Sequence, residues 1–369
     1  MRFWAGTEGQ RPRTRRACIV LLATSWVSVL GCDRDPAPTP ASAAPQQSAA
    51  TQQSAAPAPP PVAAVPPAPS GLPHDPALPF VLPLSRPNRA EVKLESAGSG
   101  TLHELRYALA AGAPQAFSIQ MNIEPTLRVA GKRMPGSAAM QFDVTGTLTL
   151  GAPVESRSRR SAHFDRFVPT SQGLGSEDLA RLQAQFGALE GLILTDSWGA
   201  RGDQTNAEVV LPVAPTPEAA AFLQTLGDSM SNAFLPLPAE AVGHRARWTS
   251  EEKIVAEGVE ATQTSTFVLI RMAGSVLSLR VEVSQAAPSQ RMLTEHLPPG
   301  VTVELVRLSG TGQGMLVIDL AKLSVDSSLT MNLLVETRVT RPGSKPPIPS
   351  STSTAMKLKT RVAARHAAK

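Results

Sequence analysis

Val276-Leu277-Ser278-Leu279-Arg280-Val281-Glu282-Val283 alternates aliphatic and polar residues without a break. Leu277, Leu279, Val281 and Val283 fall on one face, and Ser278, Arg280 and Glu282 on the other. A period of two marks a strand with one dry face and one wet face, the pattern of antiparallel sheet. The same alternation recurs upstream. Phe117, Ile119, Met121 and Ile123 alternate with Ser118, Gln120 and Asn122, and Met140, Phe142, Val144, Leu148 and Leu150 with Gln141, Asp143, Thr145, Thr147 and Thr149. His103, Leu105, Tyr107 and Leu109 alternate with Glu104, Arg106 and Ala108 and read as a further strand. Others are expected over 161–168, 245–256, 259–272, 301–308, 315–320 and 329–339, with a hairpin formed by 192–198 and 207–211.

The middle of the chain changes period. Ser176-Glu177-Asp178 supplies a capping residue and first-turn acids, and Leu179, Leu182, Phe186 and Leu189 then recur at helical spacing up to Gly191. A second helix is expected over 217–234, with Ala221, Leu226, Met230 and Phe234 apolar. Stripes of this kind are normally core. The expected fold is α+β and predominantly antiparallel β: two blocks of strands flank a two-helix middle segment. One apolar sheet face must be covered, by the helices or by the sheet curling into a curved sheet or half-barrel.

Outward from this body, the amino terminus reads as an address. Five arginines (Arg2, Arg11, Arg13, Arg15, Arg16) precede an apolar run over 17–30, too short to span a bilayer comfortably, and Gly31 then stands directly before Cys32. Val29-Leu30-Gly31-Cys32 resembles the lipobox of bacterial lipoproteins. The resemblance implies cleavage between Gly31 and Cys32, a diacylglycerol on the Cys32 sulfur and an acylated new amino terminus. It places the domain in the cell envelope, facing the periplasm and held at a membrane. Asp33 tilts the choice of membrane toward the inner one by the enterobacterial sorting pattern, and the choice stays open.

From Asp33 to about Leu84 the chain is almost wholly Pro, Ala, Ser, Gln and Thr, with Pro59-Pro60-Pro61 and Pro66-Pro67 inside it. Such sequence has little apolar surface to bury and reads as an extended tether. From Arg341 to Lys369 there are seven basic residues and no acid, which reads as an untethered basic terminus. The chain thus divides into a leader (1–31), a lipidated cysteine with a disordered linker (32–84), a β-rich domain (85–340) and a basic disordered tail (341–369).

The formal charge of +5 describes the two ends of the chain, because 33–340 carries 23 basic and 29 acidic residues. No basic surface with interleaved aromatics is visible, so nucleic acid is not an expected partner. The two cysteines are Cys18, inside the leader, and Cys32, so the mature chain has no disulfide and no thiolate ligand to offer. His74, His103, His163, His244, His296 and His366 are scattered without a pair at ligand spacing, and no Gly-x-Ser-x-Gly elbow occurs. Gly310-x-Gly312-x-Gly314 sits between two expected strands and opens no helix, so it reads as sheet backbone and not as a phosphate cradle. Arg201-Gly202-Asp203 reads as the tip of a hairpin.

Leu235-Pro236-Leu237-Pro238, Val242-Gly243, Trp248 and the run Leu308-Ser309-Gly310-Thr311-Gly312-Gln313-Gly314 together resemble an uncharacterised family of exported bacterial proteins over 235–339. That family carries a Val-Gly-x-Gly-x-x-Trp step, and here Arg245 stands where its second glycine is usual. The resemblance implies a fold and no catalytic activity. No enzyme, cofactor or metal site is expected. The functional expectation is a lipid-anchored envelope protein whose aliphatic, methionine-bearing sheet interior holds a hydrophobic ligand, with an open pocket of roughly 300–1,000 Å³. A non-catalytic scaffold or protein-interaction module with a packed interior is the alternative. Low aromatic content suits lipid tails better than sugars.

Overall fold

The computed structural model describes residues 80–83, 90–108, 111–134, 138–154, 156–211, 235–256, 259–292, 300–322, 324–340 and 348–364. Gly31, Cys32 and the second expected helix (217–234) lie outside them. The described chain is mostly antiparallel β, as the alternation implies, in a sheet that curls as a half-barrel. Among the described residues there is one helix.

The strands are β1 (Phe80–Pro83), β2 (Glu91–Ser96), β3 (Ser99–His103), β4 (Gln115–Val129), β5 (Lys132–Arg133), β6 (Met140–Val154) and β7 (Arg157–Ser171). After α1 (Ser176–Gly187) come β8 (Ile193–Trp198), β9 (Gln204–Leu211), β10 (Val242–His244), β11 (Arg247–Ala256), β12 (Val259–Ala273) and β13 (Val276–Ala287). β14 (Gln290–Met292), β15 (Thr302–Asp319), β16 (Ser324–Thr340) and β17 (Ile348–Ala364) follow. Thirteen of them form one continuous order, β1-β9-β8-β7-β6-β4-β17-β16-β15-β13-β12-β11-β2, while β14 flanks β15, β5 flanks β4, and β10 pairs β3 in a small separate sheet.

Three expectations are corrected here. The first is the basic disordered tail: within 341–369 lies β17, which pairs with β16 from Val339↔Ile348 to Val325↔Val362 and with β4 from Val129↔Ser350 to Gln115↔Ala364. The C-terminal strand joins the amino-terminal strands to the carboxy-terminal ones. Its signal was in the sequence, since Met356, Leu358 and Val362 alternate with Lys357, Lys359 and Arg361. A run of like charge hid a period of two. The second is the linker, expected to reach 84, which already contains β1 paired to β9. The third is the strand expected at 103–109: β3 ends at His103 and residues 104–108 join no ladder. Leu105 and Tyr107 alternate there because both are buried in the end of the sheet, not because the backbone is paired.

Two smaller differences share one cause, the reading of glycine. The strands expected at 301–308 and 315–320 are a single strand, β15, running through Gly310, Gly312 and Gly314. All three share a face with the buried Leu308 and Leu316. Their partners on β16 are Leu333, Met331 and Leu329. A Cβ at Gly312 would collide with the Met331 side chain, and one at Gly314 with the Ser328 carbonyl oxygen. Bare backbone here lets the side chains of β16 lie over β15. At the helix, the cap is Gly175 without a side-chain cap bond, and Ser176 is already helical.

The curl follows from connectivity. β1 and β2 are opposite edges of the order, yet only residues 84–90 separate them in the chain. Thirteen strands laid flat would hold their edges about 58 Å apart at about 4.8 Å per step. The connection spans at most about 28 Å. The edges must therefore swing toward each other. Inside the curl, Phe117, Ile119, Met121, Phe142, Val144, Phe164, Leu277, Leu279, Ile318 and Met331 belong to one buried cluster, which Leu182 and Phe186 of α1 join. Phe142 meets Phe186 at a centroid distance of 5.1 Å, and Trp248 stacks on Phe267 at 5.7 Å. The polar alternates Gln141, Thr145, Arg280 and Glu282 stay outside or half-buried, as the alternation requires.

Candidate functional site

One end of the curled sheet is crossed by a strap, residues 104–108. The Tyr107 amide donates to the Ala200 carbonyl at the β8–β9 tip (2.8 Å), and the Ala108 amide donates to the Leu320 carbonyl beyond β15 (3.0 Å). The Tyr107 hydroxyl donates to the Leu235 carbonyl (3.0 Å) and accepts from the Leu235 amide (3.2 Å). Leu235 and Leu237, from the Leu-Pro-Leu-Pro turn, are buried beside it, and Trp248 Nε1 donates to the Pro236 carbonyl (3.0 Å). The turn and the tryptophan that the sequence singled out are thus parts of one cap. Burial pushes the Tyr107 phenol above its ordinary pKa, and the Leu235 bond offsets this only in part.

Beside the strap opens a cleft of about 400 Å³. Its apolar lining is Leu105, Met272, Leu277 and Leu320, with Ala108 and Ala321, and its polar side is His103, Glu104, Arg106 and Ser275. Leu105, Leu277 and Leu320 belong to the buried cluster, so the floor of the cleft is the end of the sheet interior. A smaller cavity of about 220 Å³ includes Tyr107, Trp198 and Ser158 in its lining.

The polar side is electrostatically organised. Arg106 Nη2 donates to Glu104 Oε1 (2.5 Å), and Arg201 Nη2 lies 3.6 Å from the same oxygen. The hydrogen bond from Arg106, with Arg201 adding its charge, holds the Glu104 carboxyl below the usual carboxylate range, and Glu104 in turn raises Arg106. Arg201 and Asp203 are both engaged within the chain, since Asp203 pairs with Arg157 (2.5 Å). Gly202, at φ +83, completes the turn between them, so Arg201-Gly202-Asp203 is the hairpin tip that the sequence implied.

Two buried polar pairs are not among the residues singled out from the sequence. Arg160 and Asp196 form an ion pair on the inward side of β7 and β8, both side chains fully buried. Asp196 also accepts from Trp198 Nε1 (2.7 Å) and Gln204 Nε2 (2.6 Å), and the Arg160 guanidinium lies 4.8 Å from the Trp198 ring centroid. With these donors around it, the carboxylate fastens the β8–β9 hairpin to β7. On β12 and β13, the buried Gln285 Nε2 donates to Gln263 Oε1 (2.6 Å) among aliphatic neighbours. The period of two does place them on the dry face, Asp196 between Leu194 and Trp198, Arg160 in step with Ala162 and Phe164, and Gln285 between Val283 and Ala287; which of them meet depends on the strand pairing.

Of the six histidines, three lie among the described residues. His103 lines the cleft, His163 pairs with Asp165 (2.7 Å), and His244 is exposed on β10. Among the described residues no helix is long and apolar enough to cross a membrane. No family model matches the chain, and no curated protein is similar to it.

Proposed function

We propose that this chain is a lipid-anchored envelope protein that holds a hydrophobic, lipid-like ligand at the strap end of its curled sheet. The supporting observation is the 400 Å³ cleft whose floor, Leu105, Leu277 and Leu320, is continuous with the apolar sheet interior. That volume falls in the range of small-molecule sites, at the end suited to a single acyl chain. Its lining mixes aliphatic and charged groups, a division that fits an amphiphile better than a pure hydrocarbon. Cys32 is the proposed point of anchoring, and two or three acyl chains there give durable attachment.

The test is native mass spectrometry of the full chain extracted from its own envelope. Adducts of lipid mass that survive gentle activation are expected. Recovery of the chain without lipid, bound instead to another envelope protein, contradicts the carrier role and favours the scaffold.

A further inference from the structure

The geometry points to a specific ligand class: the rim of the strap cleft takes the carboxylate of a single-chain anionic amphiphile, with Arg106 and Arg201 as its partners and Glu104 as the internal group it displaces. This inference rests on the ligand-carrying role proposed above and narrows it.

Two guanidiniums converge on one carboxylate at the mouth of an apolar cleft. Arg106 and Arg201 reach Glu104 Oε1 at 2.5 and 3.6 Å. They come from different elements, the strap and the β8–β9 tip, so their approach is set by the cap. The tip is pinned by the Tyr107–Ala200 and Leu237–Arg201 backbone bonds, and the Arg201 guanidinium by a bond to the Ala239 carbonyl (3.5 Å). Arginine prefers planar, bidentate carboxylate partners, and charge-assisted bonds of this kind are the stronger class. With all three side chains near half exposure, Glu104 is held weakly enough to be exchanged for an incoming anion. Two cations face one acid at Glu104, while the other carboxylate beside the cleft, Asp319, is occupied by the Ser275 hydroxyl (2.7 Å) and the Ala321 amide (3.0 Å).

The floor supplies the other half of the recognition. Leu105 follows Glu104 directly and is buried, as are Leu277 and Leu320, while the half-buried Met272 presents apolar surface at the cleft. A carboxylate seated on Arg106 therefore directs its alkyl chain past Met272 onto these leucines. A fatty-acid carboxylate satisfies both halves. A neutral alcohol of the same chain length satisfies only the floor.

The experiment titrates the full chain carrying Cys32→Ser, so that no acyl group of its own competes. Laurate and dodecanol, both below their aggregation limits, are followed by isothermal titration calorimetry. Wild-type rim residues are expected to bind laurate more tightly than dodecanol. Glu104→Gln removes the internal competitor and should strengthen laurate binding about tenfold, equivalent to about 1.4 kcal/mol, with dodecanol unchanged. Arg106→Gln should weaken laurate alone. Equal affinity for the two probes, or no response of laurate to Glu104→Gln, overturns the carboxylate assignment and leaves the carrier role standing. Failure of both probes to bind overturns the carrier role itself.

Discussion

Arg245 has a backbone φ of +60, in the left-handed region, and its side chain is exposed. A non-glycine residue there costs about 1–2 kcal/mol. Arg245→Gly should therefore raise the denaturation midpoint, by about 1 kcal/mol of stability. An unchanged or lower midpoint contradicts this. Tyr107 is the chain's single tyrosine, which makes its ionisation separately visible. Its pKa is raised on folding, so its contribution to stability is complete below about pH 10 and is lost as pH climbs above that. Tyrosinate absorbance should accordingly appear only together with alkaline unfolding; a reversible titration near pH 10 with the strand signal intact would show the phenol to be accessible. Asp196 was legible only in part: its parity puts it on the dry face between Leu194 and Trp198, but its partner Arg160 follows only from the pairing of β8 with β7. Removing its charge by Asp196→Asn takes away the carboxylate that faces the buried Arg160 guanidinium, which should cost about 3–5 kcal/mol in a chemical melt.

At the scale of elements, β17 is the strand on which the sheet depends. It is the shared partner of β4 and β16, so a chain ending at Thr340 would bare a long edge on each. Such a truncation should abolish the cooperative thermal transition and promote aggregation. A truncated chain melting like the full one would contradict the placement of β17 at the centre. Alternating residues at 356–362 announced this strand, and the net charge of the terminus obscured it. Most other strands were legible for the opposite reason: their wet faces carry mixed polar residues, as in β6 and β13. Glycine misled twice, by splitting β15 in expectation and by hiding the start of α1 at Gly175. Gly314→Val would drive a side chain into the Ser328 backbone, which cannot yield as a flexible side chain would. The expected loss is on the order of 2 kcal/mol, read from urea unfolding.

For the molecule as a whole, alternation revealed an antiparallel sheet with one apolar face but not how that face is covered. The answer lies in which strands end up as neighbours. β1 and β2 close in sequence and far apart in strand order force the curl, and the strap through Leu105 and Tyr107 then caps one end. Neither follows from local periodicity, because both depend on pairings between distant segments. The proposed anchor belongs to this scale too: Cys32→Ser should shift the chain from the membrane fraction to the soluble one, and identical partitioning of mutant and parent would remove the anchor from the account. The claim on which the functional reading turns is that the strap-end cleft is where an alkyl chain enters the sheet. A crystal structure of the full chain carrying Cys32→Ser, grown with laurate, tests it most directly. The account predicts continuous density over Leu105, Leu277 and Leu320 with the carboxylate at Arg106; laurate bound elsewhere, or a cleft closed by its own side chains, would contradict it.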